Sequence, residues 1–161
     1  MNKKTSKLFA LVLLVALAAL LFGCTQLPPG VSTFKLKDGA QTCSIDGKPV
    51  IRLYSTTWCP HCQWVGPTFD AVAKEYVAQG KIVAYHWQMD TKDDALTDVN
   101  ETSIPESEAQ IFYQFNPDGG IPTFVFGCKY YRIGAGYEAS GDLVAEEKEF
   151  RAVIDALLNE Q

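Results

Sequence analysis

The run Trp58-Cys59-Pro60-His61-Cys62 places two thiols three positions apart. Two intervening residues let the second thiol reach back and close a disulfide with the first, so the pair can take up and pass on two electrons. The same spacing is also half of a zinc site, and the surroundings separate the two readings. Upstream, Pro49 to Ser55 reads as a buried strand rich in Val50, Ile51, Leu53 and Tyr54. Downstream, the spacing predicts a helix from about Cys59 to Gln79. A thiol at a helix start meets unpaired N–H groups and the positive end of the helix dipole. Both favour thiolate, which is the nucleophile. Cys59 is therefore the expected attacking thiol, and Cys62, one turn in and less exposed, the resolving one. His61 can add positive charge or a hydrogen bond near Cys59. Pro60 presets φ at the start of the helix, and Trp58 can shield the sulfurs and offer a flat surface to a substrate.

The elements that must hold this motif follow along the chain. Asp46-Gly47 is a turn signal. In the predicted helix, Phe69, Val72, Ala73 and Tyr76 recur at helical spacing and mark a buried face. Pro67 lies inside the pattern, where a kink is expected, and Gly80 ends it. Lys81 to Met89 reads as a second strand. Asp90 to Glu106 is polar and reads as a loop or a short extra helix. Ser107 to Phe115 is helical, and Asn116-Pro117-Asp118-Gly119-Gly120 stops it. Thr123–Phe126 and Lys129–Ile133 read as a hairpin. Phe150, Val153, Ile154, Leu157 and Leu158 stripe a last helix, with Glu146-Glu147 as its solvated start. This order, β-α-β-α-β-β-α, predicts an α/β sandwich with its first two strands parallel. Arg52 has no evident reason to stand in an otherwise apolar strand.

From Pro49 to about Leu158 the chain resembles the thioredoxin superfamily. The landmarks are Trp58-Cys59-x-x-Cys62, Pro67, Gly120-Ile121-Pro122-Thr123 and Gly134-Ala135. The resemblance implies a thioredoxin fold, a central mixed sheet of four to five strands with helices on both faces. It implies a cis Pro122 facing the disulfide and an Ile121 that lends backbone groups to a bound peptide. It also places Cys43 just before the first core strand and Cys128 just after the third, which are antiparallel neighbours in that fold. Both then sit at the sheet end remote from Cys59, away from any zinc site at the motif. A structural disulfide between them is expected; two separate thiols, or a second redox pair that hands electrons on, are the alternatives. No metal or cofactor is called for.

Two positions depart from the family pattern. Thioredoxins carry a buried Asp six residues before the first Cys, where this chain has Leu53. A paired Lys on the next strand is replaced by His86, a candidate proton carrier for Cys62 or simply a satisfied core histidine. The Pro-His dipeptide resembles the DsbA-type disulfide oxidases, yet their large helical insertion is missing, and Thr91–Glu106 is only a modest insert.

The first 23 residues have another character. Lys3, Lys4 and Lys7 precede an uncharged apolar run from Leu8 to Phe22, and Gly23-Cys24 follow at once. That is the pattern of a secretory signal, and Leu21-Phe22-Gly23-Cys24 resembles a lipoprotein box, with Cys24 as the lipidated residue. An uncleaved anchor or plain secretion are the alternatives. The expected organisation is a signal or anchor over 1–23, a tether over 24–40 with a short strand at Thr33–Leu36, and one thioredoxin-like domain over 41–161. Without the first 23 residues, 11 basic residues stand against 19 acidic ones, a balance of about −8 that argues against nucleic acid as a partner. The expected partners are protein thiols and disulfides, with a membrane redox partner, in the cell envelope outside the cytoplasm. The expected function is protein disulfide oxidoreductase on the oxidising side. A membrane-fed reductase, or a binding and assembly module without turnover, are the competing readings.

Overall fold

The computed structural model describes residues 26–160; the signal segment and Cys24 lie outside them. The chain runs β1 (Lys35–Leu36), β2 (Ser44–Ile45), β3 (Lys48–Ser55), α1 (Pro60–Ala78), β4 (Val83–Gln88), β5 (Asp93–Asp94), α2 (Glu106–Phe115), β6 (Thr123–Phe126) and β7 (Tyr130–Ile133). A 3₁₀ turn (Glu138–Ser140) and α3 (Leu143–Asn159) complete it. The sheet order is β1-β7-β6-β3-β4-β5, with β2 paired to β3 at the side. β3 and β4 are parallel across α1, and β6 and β7 are antiparallel. The architecture is the mixed α/β sandwich of a thioredoxin fold. Its four longer strands form the centre, and the three two-residue strands extend it beyond the expected four or five.

Alternation along β3 decides which core each residue joins. Ile51 and Leu53 meet Val65, Phe69 and Val72 of α1 and Phe150, Val153 and Leu157 of α3 in the larger core. Tyr54 turns to the other face and packs with Trp87, Val125 and Phe112 and Phe115 of α2. Helices therefore cover both faces. Arg52 also points to the α2 face, and Glu108 explains it. The guanidinium donates from Nε to Oε2 at 2.7 Å and from Nη2 to Oε1 at 3.0 Å, and the Tyr54 hydroxyl adds a 3.1 Å bond to the same carboxylate. A forked, fully engaged pair is the form in which a buried charge is tolerated.

Two expectations need correcting, and a third is decided between its alternatives. The segment read as a tether over 24–40 is part of the domain from Val31 on. Val31 and Phe34 are buried in the larger core, and β1 pairs with β7. The short strand expected at Thr33–Leu36 is β1, but the apolar residues are too sparse to show that Val31 and Phe34 enter a core, which only tertiary contact decides. Of the two readings of Asp90–Glu106, the loop holds and the extra helix does not: the stretch contributes only the short β5, whose Asp94 pairs with Trp87, before α2 begins at Glu106. Glu146 is not solvated: it is 0 % exposed, and Glu149 is 1 % exposed. Both face Arg132 of β7, whose Nη2 reaches Glu146 at 2.6 Å and whose Nη1 reaches Glu149 at 3.1 Å.

Cys43 and Cys128 are joined by a disulfide, with their Cα atoms 5.3 Å apart. In the register of β3 against β6, Ile51 faces Phe126 while Tyr54 faces Thr123. The bond therefore lies at the end of the sheet where β3 begins, and the Cys59 motif at the end where it leaves. Gly127 and Cys128 form the β6–β7 turn, both at positive φ. A Cβ on Gly127 would come within 2.6 Å of Leu157 Cδ2, so only glycine fits there. The bond closes a loop of 85 residues, worth about 3–5 kcal/mol in the chain-entropy account. Cys43→Ala/Cys128→Ala should lower urea-unfolding stability by that amount while Cys59 alkylation persists. Free thiols at both positions in protein taken from its own compartment would overturn a structural role.

Candidate functional site

Cys59 is the N-cap of α1 rather than its first turn, and its sulfur accepts the Cys62 N–H at 3.4 Å. Pro60 follows at N1, where a missing N–H costs nothing. Both sulfurs belong to free, buried cysteines, with Cys59 3 % and Cys62 4 % exposed. Exposure thus does not separate them, contrary to expectation. The local field does. Cys59 receives the helix N-terminus, whereas burial, then the hydrogen bond with Cys59, pushes the Cys62 thiol up to about 12. Trp58 is 68 % exposed and offers its ring to solvent beside these buried sulfurs. His61 is held by a carboxylate: its Nδ1 lies 2.7 Å from Glu138 Oε2, at the 3₁₀ turn. The charge it can lend Cys59 is thus shared with an acid 77 positions away, which no local pattern places there.

The loops around the motif are pinned. Thr57 donates its N–H to Asp90 at 3.1 Å and its hydroxyl to the same carboxylate, and Gln63 donates back to the Thr57 carbonyl at 2.8 Å. Ile121–Pro122 is a cis peptide. It enters β6 at the sheet end from which β3 runs to Cys59. Buried Asn116 donates to the Gly120 carbonyl at 2.5 Å and to Thr123 Oγ1 at 2.8 Å. Gly134 N–H closes the other side on the Pro122 carbonyl at 2.8 Å. In the sequence Asn116 read only as a helix stop; nothing local reveals its hold on the loop.

Behind Cys62 lies a cavity of about 330 Å³. Cys62, Gly66 and Asp70 stand at four-residue spacing on one face of α1 and line it, together with Ser55, Thr56 and His86. His86 Nδ1 is 2.7 Å from Asp70 Oδ1, and its Nε2 is 2.8 Å from Ser55 Oγ. Among the described residues, no group of His, Cys, Asp or Glu is arranged to hold a metal ion. Cys43 and Cys128, bonded to each other at the far end, are not available to the motif.

The sequence model of the thioredoxin family matches residues 32–113, just over half of the chain. The chain belongs to the thioredoxin family. The matched part of this thioredoxin-family domain carries β3, α1 and β4, and with them the Cys59–Cys62 pair. It stops short of Ile121–Pro122, for which the fold itself speaks. The chain is also similar to bloodstream-specific protein 2 of Trypanosoma brucei brucei, at 33 % identity over 81 residues. That match takes in 50 % of this chain and 15 % of the trypanosome protein. Thiol–disulfide redox chemistry is the general activity of that family. Within it, the position of the family's buried Asp is Leu53, fully buried and apolar. Among the described residues that line the cavity the acid is Asp70 on α1, 2.7 Å from His86 Nδ1.

Proposed function

We propose that this domain exchanges disulfides with protein thiols outside the cytoplasm, on the oxidising side. The observation that carries the reading is the pair of buried, free thiols at the start of α1, Cys59 at the N-cap and Cys62 one turn in. In the oxidising direction, a substrate thiolate attacks the Cys59 sulfur of the Cys59–Cys62 disulfide, and Cys62 leaves with the electron pair. A second substrate thiolate then attacks the substrate sulfur of the mixed disulfide and expels Cys59. The substrate loses two electrons and the pair gains them. The helix N-terminus stabilises the reduced, ionised Cys59, and His61, its charge partly offset by Glu138, adds to it from within the motif, which makes the disulfide the stronger oxidant. Ile121, beside the cis Pro122, offers backbone groups to the bound peptide, and the exposed Trp58 ring offers apolar surface.

Redox equilibration against glutathione tests the direction. The potential is expected above about −230 mV, between the thioredoxin and DsbA figures. His61→Pro should lower it by about 30 mV or more, a tenfold change in equilibrium constant. A value as low as about −270 mV would turn the reading to a reductase fed by a membrane partner. Failure to reduce insulin at any potential would favour a binding module without turnover.

The apolar run before Cys24 supports a lipid anchor at that residue. No helix among the described residues is long and apolar enough to cross a membrane, and the run itself lies outside them. Full-length protein should carry a lipid mass, and Cys24→Ser should lose both that mass and membrane retention. Equal retention of the two without lipid would point to an uncleaved anchor.

A further inference from the structure

Cys62 has a difficulty that the exchange chemistry must solve. To resolve a mixed disulfide on Cys59 its thiol has to lose a proton, and when it leaves in the opposite direction it has to regain one. Burial makes that loss costly: the thiol is pushed up to about 12. The neighbouring strand position is Leu53, which can neither take nor give a proton. Bulk solvent reaches the sulfur poorly, since Cys62 is buried.

The cavity behind Cys62 contains the missing acceptor. His86 lies in register with Leu53 on the adjoining strand, and its Cε1 would stand 3.5 Å from a Cβ built on Gly66. The ring thus packs against α1 one turn beyond Cys62. Its tautomer follows from its partners. The Asp70 carboxylate is acceptor-only when ionised, so Nδ1 carries the hydrogen and donates it at 2.7 Å. Nε2 then has a free lone pair, directed at the Ser55 hydroxyl 2.8 Å away. Ser55 adjoins Thr56, and both line the cavity with Cys62; the Thr56 backbone N–H favours the ionised form of that thiol. The Thr56 hydroxyl is buried and has no partner within the protein, although it lines the same cavity. A polar lining with an unengaged hydroxyl and this volume has room for bridging water. Two further acids bear on His86. Asp94 on β5 accepts its backbone N–H at 2.8 Å, and Glu101 in turn accepts the Asp94 N–H. Phe69 covers the ring edge-on, with centroids 6.0 Å apart.

We propose that His86, oriented by Asp70, exchanges the Cys62 proton across this cavity by way of the Ser55 and Thr56 hydroxyls. In resolution, the Cys62 S–H proton passes to Nε2, giving an imidazolium held by the Asp70 carboxylate. The Cys62 thiolate attacks the Cys59 sulfur, the Cys59–Cys62 bond forms, and the substrate sulfur leaves with the electron pair of the broken bond. In the oxidising direction Cys62 leaves as thiolate and takes the proton from the imidazolium. No other reagent is required. Asp70 acts through His86 and is a positioning residue. The chemistry rests on the exchange reading above, and moves the family's proton acceptor from β3 to a strand–helix pair that the motif alone does not announce.

The test follows a single turnover. Full-length reduced protein is mixed with a small aromatic disulfide whose released thiol is coloured. The first thiol released reports attack by Cys59, and the second reports displacement by Cys62. His86→Gln keeps hydrogen bonds to Asp70 and Ser55 but takes up no proton. It should slow the second release about 10²-fold near neutral pH, the lower range for positioned proton transfer, and leave the first release and the reduction potential unchanged. The slowed rate should climb with pH as hydroxide replaces the imidazole. Asp70→Asn should show a smaller loss with the same steeper pH profile, and His86→Leu should match His86→Gln. A second release as fast in His86→Gln as in the wild type overturns the relay and leaves the exchange reading standing. Absence of a second release in the wild type overturns both.

Discussion

Replacing Cys59 by serine should reduce insulin-reducing activity to background, a loss of roughly 10³-fold or more, as expected for removal of a covalent nucleophile. Replacing Cys62 by serine should instead leave the first attack intact and accumulate a mixed disulfide that no longer resolves. The asymmetry does not come from residue burial, which is nearly the same for the two cysteines. It comes from the helix. Cys59 caps α1 and accepts an N–H from its first turn, so charge on that sulfur is met by the peptide dipoles. Cys62 lies inside the turn, where burial, then the bond to Cys59, pushes its thiol well above the ordinary thiol range. Alkylation at mildly acidic pH followed by peptide mapping gives the same information without a variant. The adduct belongs on Cys59. A predominant adduct on Cys62, or a Cys62→Ser protein that traps nothing, would reverse the assignment.

Much of this site was legible because its signals are local. A thiol pair between an apolar strand and a periodic helix is written in consecutive residues. The stripe Phe69, Val72, Ala73 and Tyr76 found its core because each residue answers to a 3.6-residue period. The parts that escaped are those whose partners are far apart in the chain. Arg52 and Glu108 stand 56 residues apart, and neither position says that a strand and a helix will bring them face to face. His61 and Glu138 are 77 apart. Glu146 was assigned to solvent on the sound premise that charges at a helix start are exposed. An arginine two elements earlier makes the exception. Val31 and Phe34 failed for the opposite reason: too few apolar residues to show a period, yet enough to enter a core once β1 adds to the sheet edge. His86 and Asp70 share this origin. Their spacing of 16 residues is meaningful only after α1 has been laid over β4.

The Arg132 cluster is where the largest loss of stability is expected. The guanidinium lies under Phe34, Phe124 and Phe150, with its centre 4.6 Å from the Phe124 ring centroid, and neutralises two carboxylates that reach no solvent. Arg132→Met would keep apolar bulk against those rings and leave Glu146 and Glu149 buried without a cation. Breaking a buried pair by removing one partner costs about 3–5 kcal/mol, a large share of the 5–15 kcal/mol that holds a typical domain together. Urea unfolding should show that loss, or no folded state at all. Adding Glu146→Gln and Glu149→Gln should recover part of it, because the amide oxygens can still accept the N–H of Tyr137 and of Ser32 and Thr33 that the acids accept now. A folded Arg132→Met protein within about 0.5 kcal/mol of the wild type would refute the account, since that is the range of inconsequential surface changes. The consequence reaches the thiols. Glu146 holds the backbone of Tyr137 at 2.8 Å, and the next residue is Glu138, the acid that holds His61. Arg132 also donates to the Gly134 carbonyl at 3.1 Å, in the residue whose N–H closes on Pro122. In the rescued triple variant, therefore, stability and redox potential should part company: the fold returns in part, while the position of Glu138 against His61, and with it the potential of the Cys59 pair, follows the Tyr137 backbone wherever the weaker amide contact lets it settle.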